Sequence, residues 1–117
     1  MPEETGQLTV VINAYLAALG RHGIPTDAVY LFGSRARGDA RPDSDIDLII
    51  VSPAFSGMPL WKRWEVLGDA LSEVLQPIEV RAYSPEEFDS KKDRQASFLG
   101  HILRQPEVVA FQSEAET

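Results

Sequence analysis

"LFGSRARGDARPDSDIDLIIV", Leu31 to Val51, is the stretch on which the reading of this chain turns. It opens on the end of "AVYLF", Ala28–Phe32, whose β-branched and aromatic residues suit a strand. Gly33 and Ser34 break that run with a turn. Arg35 to Asp39 then suits a short helix with Ser34 as its N-cap, ended by Gly38 and Pro42. "DIDLIIV", Asp45 to Val51, is the clearest strand in the chain. Side chains on a strand alternate faces, so Asp45, Asp47, Ile49 and Val51 share one side and Ile46, Leu48 and Ile50 the other. Apolar residues on both sides mark a central strand. Two carboxylates at one end of such a strand, roughly 6.5–7 Å apart at Cα, repel each other and resist desolvation. A compensating cation is expected, and paired carboxylates are hard oxygen ligands suited to magnesium.

The flanking chain supplies helices and further strands. Leu8, Val11, Ile12, Tyr15, Leu16 and Leu19 follow the three-and-four spacing of an amphipathic helix, which Gly20 or Gly23 stops. After "SPAFSGMP", read as a loop, a second stripe runs through Leu60, Trp61, Trp64, Leu67, Leu71, Val74 and Leu75 to Pro77. Trp61 and Trp64 on this stripe suit packing in the core or at an interface. "IEVRAY", Ile78–Tyr83, alternates with the period of a strand, placing Glu79, Arg81 and Tyr83 opposite Ile78, Val80 and Ala82. "SPEE" reads as a capping box, with Ser84 at the N-cap and Glu87 at N3. A helical stretch in one or two pieces uses Phe88, Phe98, Leu99, Ile102 and Leu103, and Val108, Val109 and Phe111 suit a last short strand. This order predicts an α/β (α+β) fold, a small mixed β-sheet covered by helices. Residues 1–112 are read as one domain and 113–117 as a polar C-terminal tail.

Composition narrows the function. Hydrophobic residues at 44% and charged residues at 25% are those of an ordinary globular chain. A net charge of -7 argues against strong direct binding to nucleic acid, which depends on clustered Lys and Arg. Without cysteine there are no disulfides and no thiolate metal sites. Apolar runs too short for a bilayer predict no membrane association. "MPEETGQL" is acidic and unlike a secretory signal, so a cytoplasmic location is expected.

The Gly33-Ser34 turn complements the aspartates. A strand that ends in Gly-Ser and enters a helix presents backbone N–H groups to an anion, and the Ser34 hydroxyl can donate to a phosphate oxygen. Should the strand ending at Phe32 pair with the one beginning at Asp45, phosphate cradle and metal ligands would share a site. Two metals there would hold a polyphosphate and activate an attacking hydroxyl. Such a scheme wants a third carboxylate, and Glu79 on the next strand is the best candidate. Arg35 and Arg37 are within reach of the phosphates.

Gly33, Ser34, Asp45 and Asp47, spaced as G-S-x10-D-x-D, resemble the signature of the DNA polymerase β-like nucleotidyltransferase superfamily. The fuller "GSRARGDARPDSDIDL" is similar to the minimal nucleotidyltransferase (MNT) family within it. The resemblance implies ATP or another NTP bound through Gly33 and Ser34. It also implies Mg2+, two ions, on Asp45, Asp47 and Glu79, the last standing where the superfamily commonly carries Asp. Members of this family are similar to antitoxins paired with a HEPN-type toxic ribonuclease, so the resemblance implies transfer of AMP to a tyrosine of such a partner. Two other functions stay open: a binding module that neutralises a partner by occlusion, and transfer to a small molecule such as an aminoglycoside.

Overall fold

The computed structural model describes residues 2–38, 45–94 and 96–111, and within them no side chain of residues 2–7, Ser34 or Arg37. The tail expected at 113–117 and the loop holding Asp39 and Pro42 lie outside the described residues.

The elements run α1 (Pro2–Arg21), β1 (Ala28–Phe32), α2 (Ser34–Arg37), β2 (Ile46–Val51), α3 (Leu60–Val74), β3 (Ile78–Tyr83), α4 (Pro85–Lys91), α5 (Phe98–Leu103) and β4 (Val109–Phe111). Four strands form one sheet in the order β3-β2-β1-β4. β1 lies antiparallel to both β2 and β4, whereas β2 and β3 are parallel and joined through α3. The sheet is therefore mixed and covered by helices, as its periodicities predict.

Each face of the sheet has its own core. On one, Val29, Leu31, Ile46, Leu48, Ile50 and Ile78 meet the buried stripes of α1 and α3. On the other, Phe32, Ile49 and Val51 meet Leu99 and Ile102 of α5, with Phe88 of α4 packed alongside. Leu48, Ile49 and Ile50 are completely buried, as befits a central strand. Truncating any of them to alanine would cost about 2–5 kcal/mol. Tyr15 of α1 donates its buried hydroxyl to Leu67 O of α3 at 3.3 Å, and burial pushes its phenol pKa upward. Arg21 and His22 meet Glu73 at 2.6 and 2.7 Å near the ends of the same two helices.

Local chemistry explains the boundaries. Ser84 accepts from Glu87 N–H while the Glu87 carboxylate accepts from Ser84 N–H, so the capping box of "SPEE" is formed in full. The loop "SPAFSGMP" contains a 3-10 turn at Pro53–Phe55, capped by the buried Ser52 hydroxyl on Ala54 N–H and anchored by a fully buried Phe55. Three sequence expectations need correction. The strand begins at Ile46, with Asp45 just ahead of it. Ser34 is the first residue of α2, and Gly33 stands before it. The stripe of α3 is core only in part: Leu67 is buried, but Trp61 and Trp64 are 65% and 63% exposed and pack in no core. The first turns of α3 lie over the outer edge of β3, where Arg63 reaches Ala82 O while Trp61 and Trp64 stay exposed. Leu75, at φ 60, is the left-handed cap beyond its end.

Candidate active site

Strand register builds the site. Asp47 stands opposite Phe32 on β1 and opposite Glu79 on β3. Residues in register share a face, so Phe32, Asp47 and Glu79 form a row across three strands, roughly 4.8 Å from one strand to the next. β1 reaches this row at its C-terminal end, and β2 and β3 at their N-terminal ends, so all three strands open here. Asp45 lies exposed two residues ahead of Asp47.

The turn after β1 closes on the same spot. Gly33 takes φ 78, and Ala36 N–H donates to its carbonyl at 3.1 Å. A Cβ on Gly33 would collide with Asp47 Oδ2. Only a residue without a side chain brings this backbone so close to the carboxylate. The Gly33 turn and the acidic strand thus share one corner of the sheet. Arg35, in the first turn of α2, is half-buried beside them; the side chains of Ser34 and Arg37 lie outside the described residues.

The three carboxylates do not close around a single point. Among the described residues, no group of three His, Asp or Glu side chains is gathered tightly enough to hold a metal ion. The donor set nonetheless suits magnesium, which takes one or two carboxylates plus water and substrate phosphate rather than an all-protein cage.

Sequence reading missed the wall of the site. Phe98 of α5 meets Phe32 edge-on, with ring centroids 6.1 Å apart, and the Arg81 guanidinium lies 4.4 Å from the Phe98 ring centroid. Arg81 follows Glu79 by two residues and shares its face, the one signal that sequence carried for it. Arg63 was missed as well. This nearly buried arginine of α3 donates to Met58 O, Phe55 O and Ala82 O and makes two hydrogen bonds to the Glu87 carboxylate, at 2.7 and 2.9 Å. That guanidinium pulls Glu87 well below the usual carboxylate range, to a pKa of about 2.

Among the described residues, no helix is long and apolar enough to cross a membrane. No curated protein matches the chain. Among solved structures, a candidate nucleotidyltransferase from Sulfolobus solfataricus is similar in fold, with a TM-score of 0.64 at 20% identity over 97% of this chain and 87% of that one. A toxin-antitoxin structure with AMP-PNP is 25% identical over 60% of this chain and 56% of that one, with a TM-score of 0.45. The family model of the nucleotidyltransferase domain matches residues 14–101, a span that includes the Gly33 turn, both aspartates and Glu79. The chain belongs to the nucleotidyltransferase domain family.

Proposed function

We propose that this chain transfers AMP from ATP to a tyrosine hydroxyl of a HEPN-type toxin partner in the cytoplasm, and so acts as its antitoxin. The observation that carries the chemistry is the corner where the Gly33 backbone packs on the Asp47 carboxylate, with Glu79 in register beside it. The partner and its tyrosine rest on the resemblance of "GSRARGDARPDSDIDL" to the minimal family. In this reading the Gly33-Ser34 turn, with Arg35 and Arg37, holds the triphosphate, and Asp45, Asp47 and Glu79 hold two magnesium ions.

The acceptor oxygen attacks the α-phosphorus, a P–O bond forms, and the bond to the β-phosphate bridging oxygen breaks to release pyrophosphate. The acceptor's proton passes to a carboxylate of the acidic row. Asp45, Asp47 and Glu79 would hold magnesium, which would supply charge neutralisation and lower the pKa of the attacking hydroxyl. Gly33 keeps the phosphate chain within reach of Asp47, and the Phe32–Phe98 pair lines one side of the site. A domain of this size leaves acceptor recognition largely to the acceptor's own surface.

The test mixes the protein with the product of the neighbouring gene, α-labelled ATP and magnesium. Label is expected on a tyrosine of the partner, and none with Asp45→Asn/Asp47→Asn. Equal labelling by that variant would remove the assigned chemistry. Glu79, standing where the resemblance leads to an expected Asp, favours one alternative, a module that neutralises its partner by occlusion. In that case the double variant still binds the partner and still protects cells. Aminoglycoside-type transfer would appear instead as label on the small molecule.

A further inference from the structure

The outer edge of β3 is built to receive a strand. β3 lies at the end of the sheet. Pro77 O accepts from Ile46 N–H and Tyr83 O from Ser52 N–H, which fixes the alternation of the parallel ladder. Ile78, Val80 and Ala82 therefore turn their peptide groups away from β2. Arg63 closes one end of this edge by donating to Ala82 O at 3.3 Å. The Val80 N–H and C=O still face outward. Proteins usually protect such an edge with Lys, Pro or a bulge, yet the three outward-turned residues here are Ile, Val and Ala.

Helices α3 and α4 overhang this edge from opposite faces and leave a groove of about 390 Å³. The α3 wall is apolar, formed by Leu60, Trp64 and Leu67, with Leu60 55% and Trp64 63% exposed. The opposite side carries Arg81 and Lys91. Glu87 lies between them but is committed to Arg63. The groove is thus locally basic in a chain of net charge -7.

We propose that this groove binds an extended segment of a partner protein as a fifth strand, its apolar side chains alternating with acidic ones. A strand added along Val80 sends alternate side chains to opposite faces. One set meets Leu60, Trp64 and Leu67, and the other meets Arg81 and Lys91. The proposal stands apart from the transfer reading. If both hold, a segment leaving the groove past Ile78 enters the row of Asp47 and Glu79, which delivers a partner's hydroxyl to the site.

The test uses no nucleotide and no metal, so a failure of the transfer chemistry does not touch it. The probe is a synthetic peptide the length of β3 that alternates valine with glutamate, and the reporter is Trp64 fluorescence in a Trp61→Phe background. A saturable blue shift is expected below about 1 mM peptide, with binding about tenfold weaker when lysine replaces glutamate. Lys91→Glu and Val80→Pro are each expected to weaken binding by about tenfold, the latter by removing one outward N–H. Should Val80→Pro lower the melting temperature, a backbone N-methylated peptide interrogates the same hydrogen bonds from the other side. Absence of a saturable shift, equal affinity for both peptides, or indifference to N-methylation would overturn the proposal. So would a doubling of mass without peptide that Lys91→Glu or Val80→Pro abolishes, which assigns the groove to a second copy of this chain.

Discussion

Two half-buried carboxylates flank the ends of β3 and meet opposite neighbours. Glu87, past its C-terminal end, meets the Arg63 guanidinium through two hydrogen bonds and caps its own helix. Asp47, level with its N-terminal end, has Phe32 on one neighbouring strand, Glu79 on the other and the Gly33 backbone against it. The side chains carry the same functional group, and their surroundings divide the labour. Beside Glu87 the fold supplies the cation, so the acid stabilises the fold. In the strand row across β1 and β3, Asp47 stands beside an aromatic ring and another acid, at the corner where the Gly33 turn closes on it.

The largest expected effect breaks the comparison on the Asp47 side. Asp47→Asn is expected to lower label transfer by about 10³-fold, the scale for losing a key electrostatic group. Its melting temperature is expected to hold, because asparagine is nearly isosteric with aspartate and keeps the strand and the Gly33 turn in place. A variant that melts early while still transferring label would make Asp47 a structural acid like Glu87.

On the other side the expectation reverses. Arg63→Ala strips a guanidinium from three carbonyls and one carboxylate at once. It is expected to cost about 3 kcal/mol, read by urea denaturation, because buried polar groups lose their donor. Arg63→Lys should recover little, since an ammonium cannot reproduce the two-pronged contact with Glu87. Gly33→Ala sharpens the comparison from the backbone. Positive φ and the collision with Asp47 Oδ2 are expected to cost about 1–2 kcal/mol of stability. A structure of this variant should show the turn displaced from Asp47. A variant with wild-type melting and an unmoved turn would contradict the close approach.

Much of this contrast was legible in the sequence, though unequally. The Asp47 corner was readable because strand alternation and a Gly-Ser turn are local signals, and their separation along the chain is short. Asp47 and Glu79 were harder, since 32 residues and a helix part them, and only register shows that they meet. The role of Arg63 was not legible. Its position falls on the stripe with Leu60, Trp64 and Leu67, but periodicity gives only the face and not what a guanidinium there would bind. Its burial depends on Phe55 and Ala82 offering carbonyls from distant elements. The tryptophans, expected in the core or at an interface, pack in no core: periodicity identifies the face of a helix but not which of its residues the neighbouring elements cover.

The smallest expected effect tests how Glu87 stabilises the fold. Glu87→Gln keeps a side-chain oxygen to accept from Ser84 N–H, so the capping box survives, while the negative charge facing Arg63 and the hydrogen bond that Oε2 accepts from it are lost. The folded pKa of about 2 lies below the ordinary carboxylate value, so the charged form is favoured by folding. Its contribution is therefore complete above about pH 5 and fades as the pH falls through 2. Since the carboxylate is 36% exposed, solvent screens the pair and the effect is modest. Urea denaturation of both proteins from pH 7 downward is expected to show the variant less stable at neutral pH, with the gap narrowing below pH 5 and closing near pH 2. A gap that stays constant over that range would mean that Arg63 holds residue 87 by hydrogen-bond geometry alone, and that the acid at this end of β3 owes nothing to its charge.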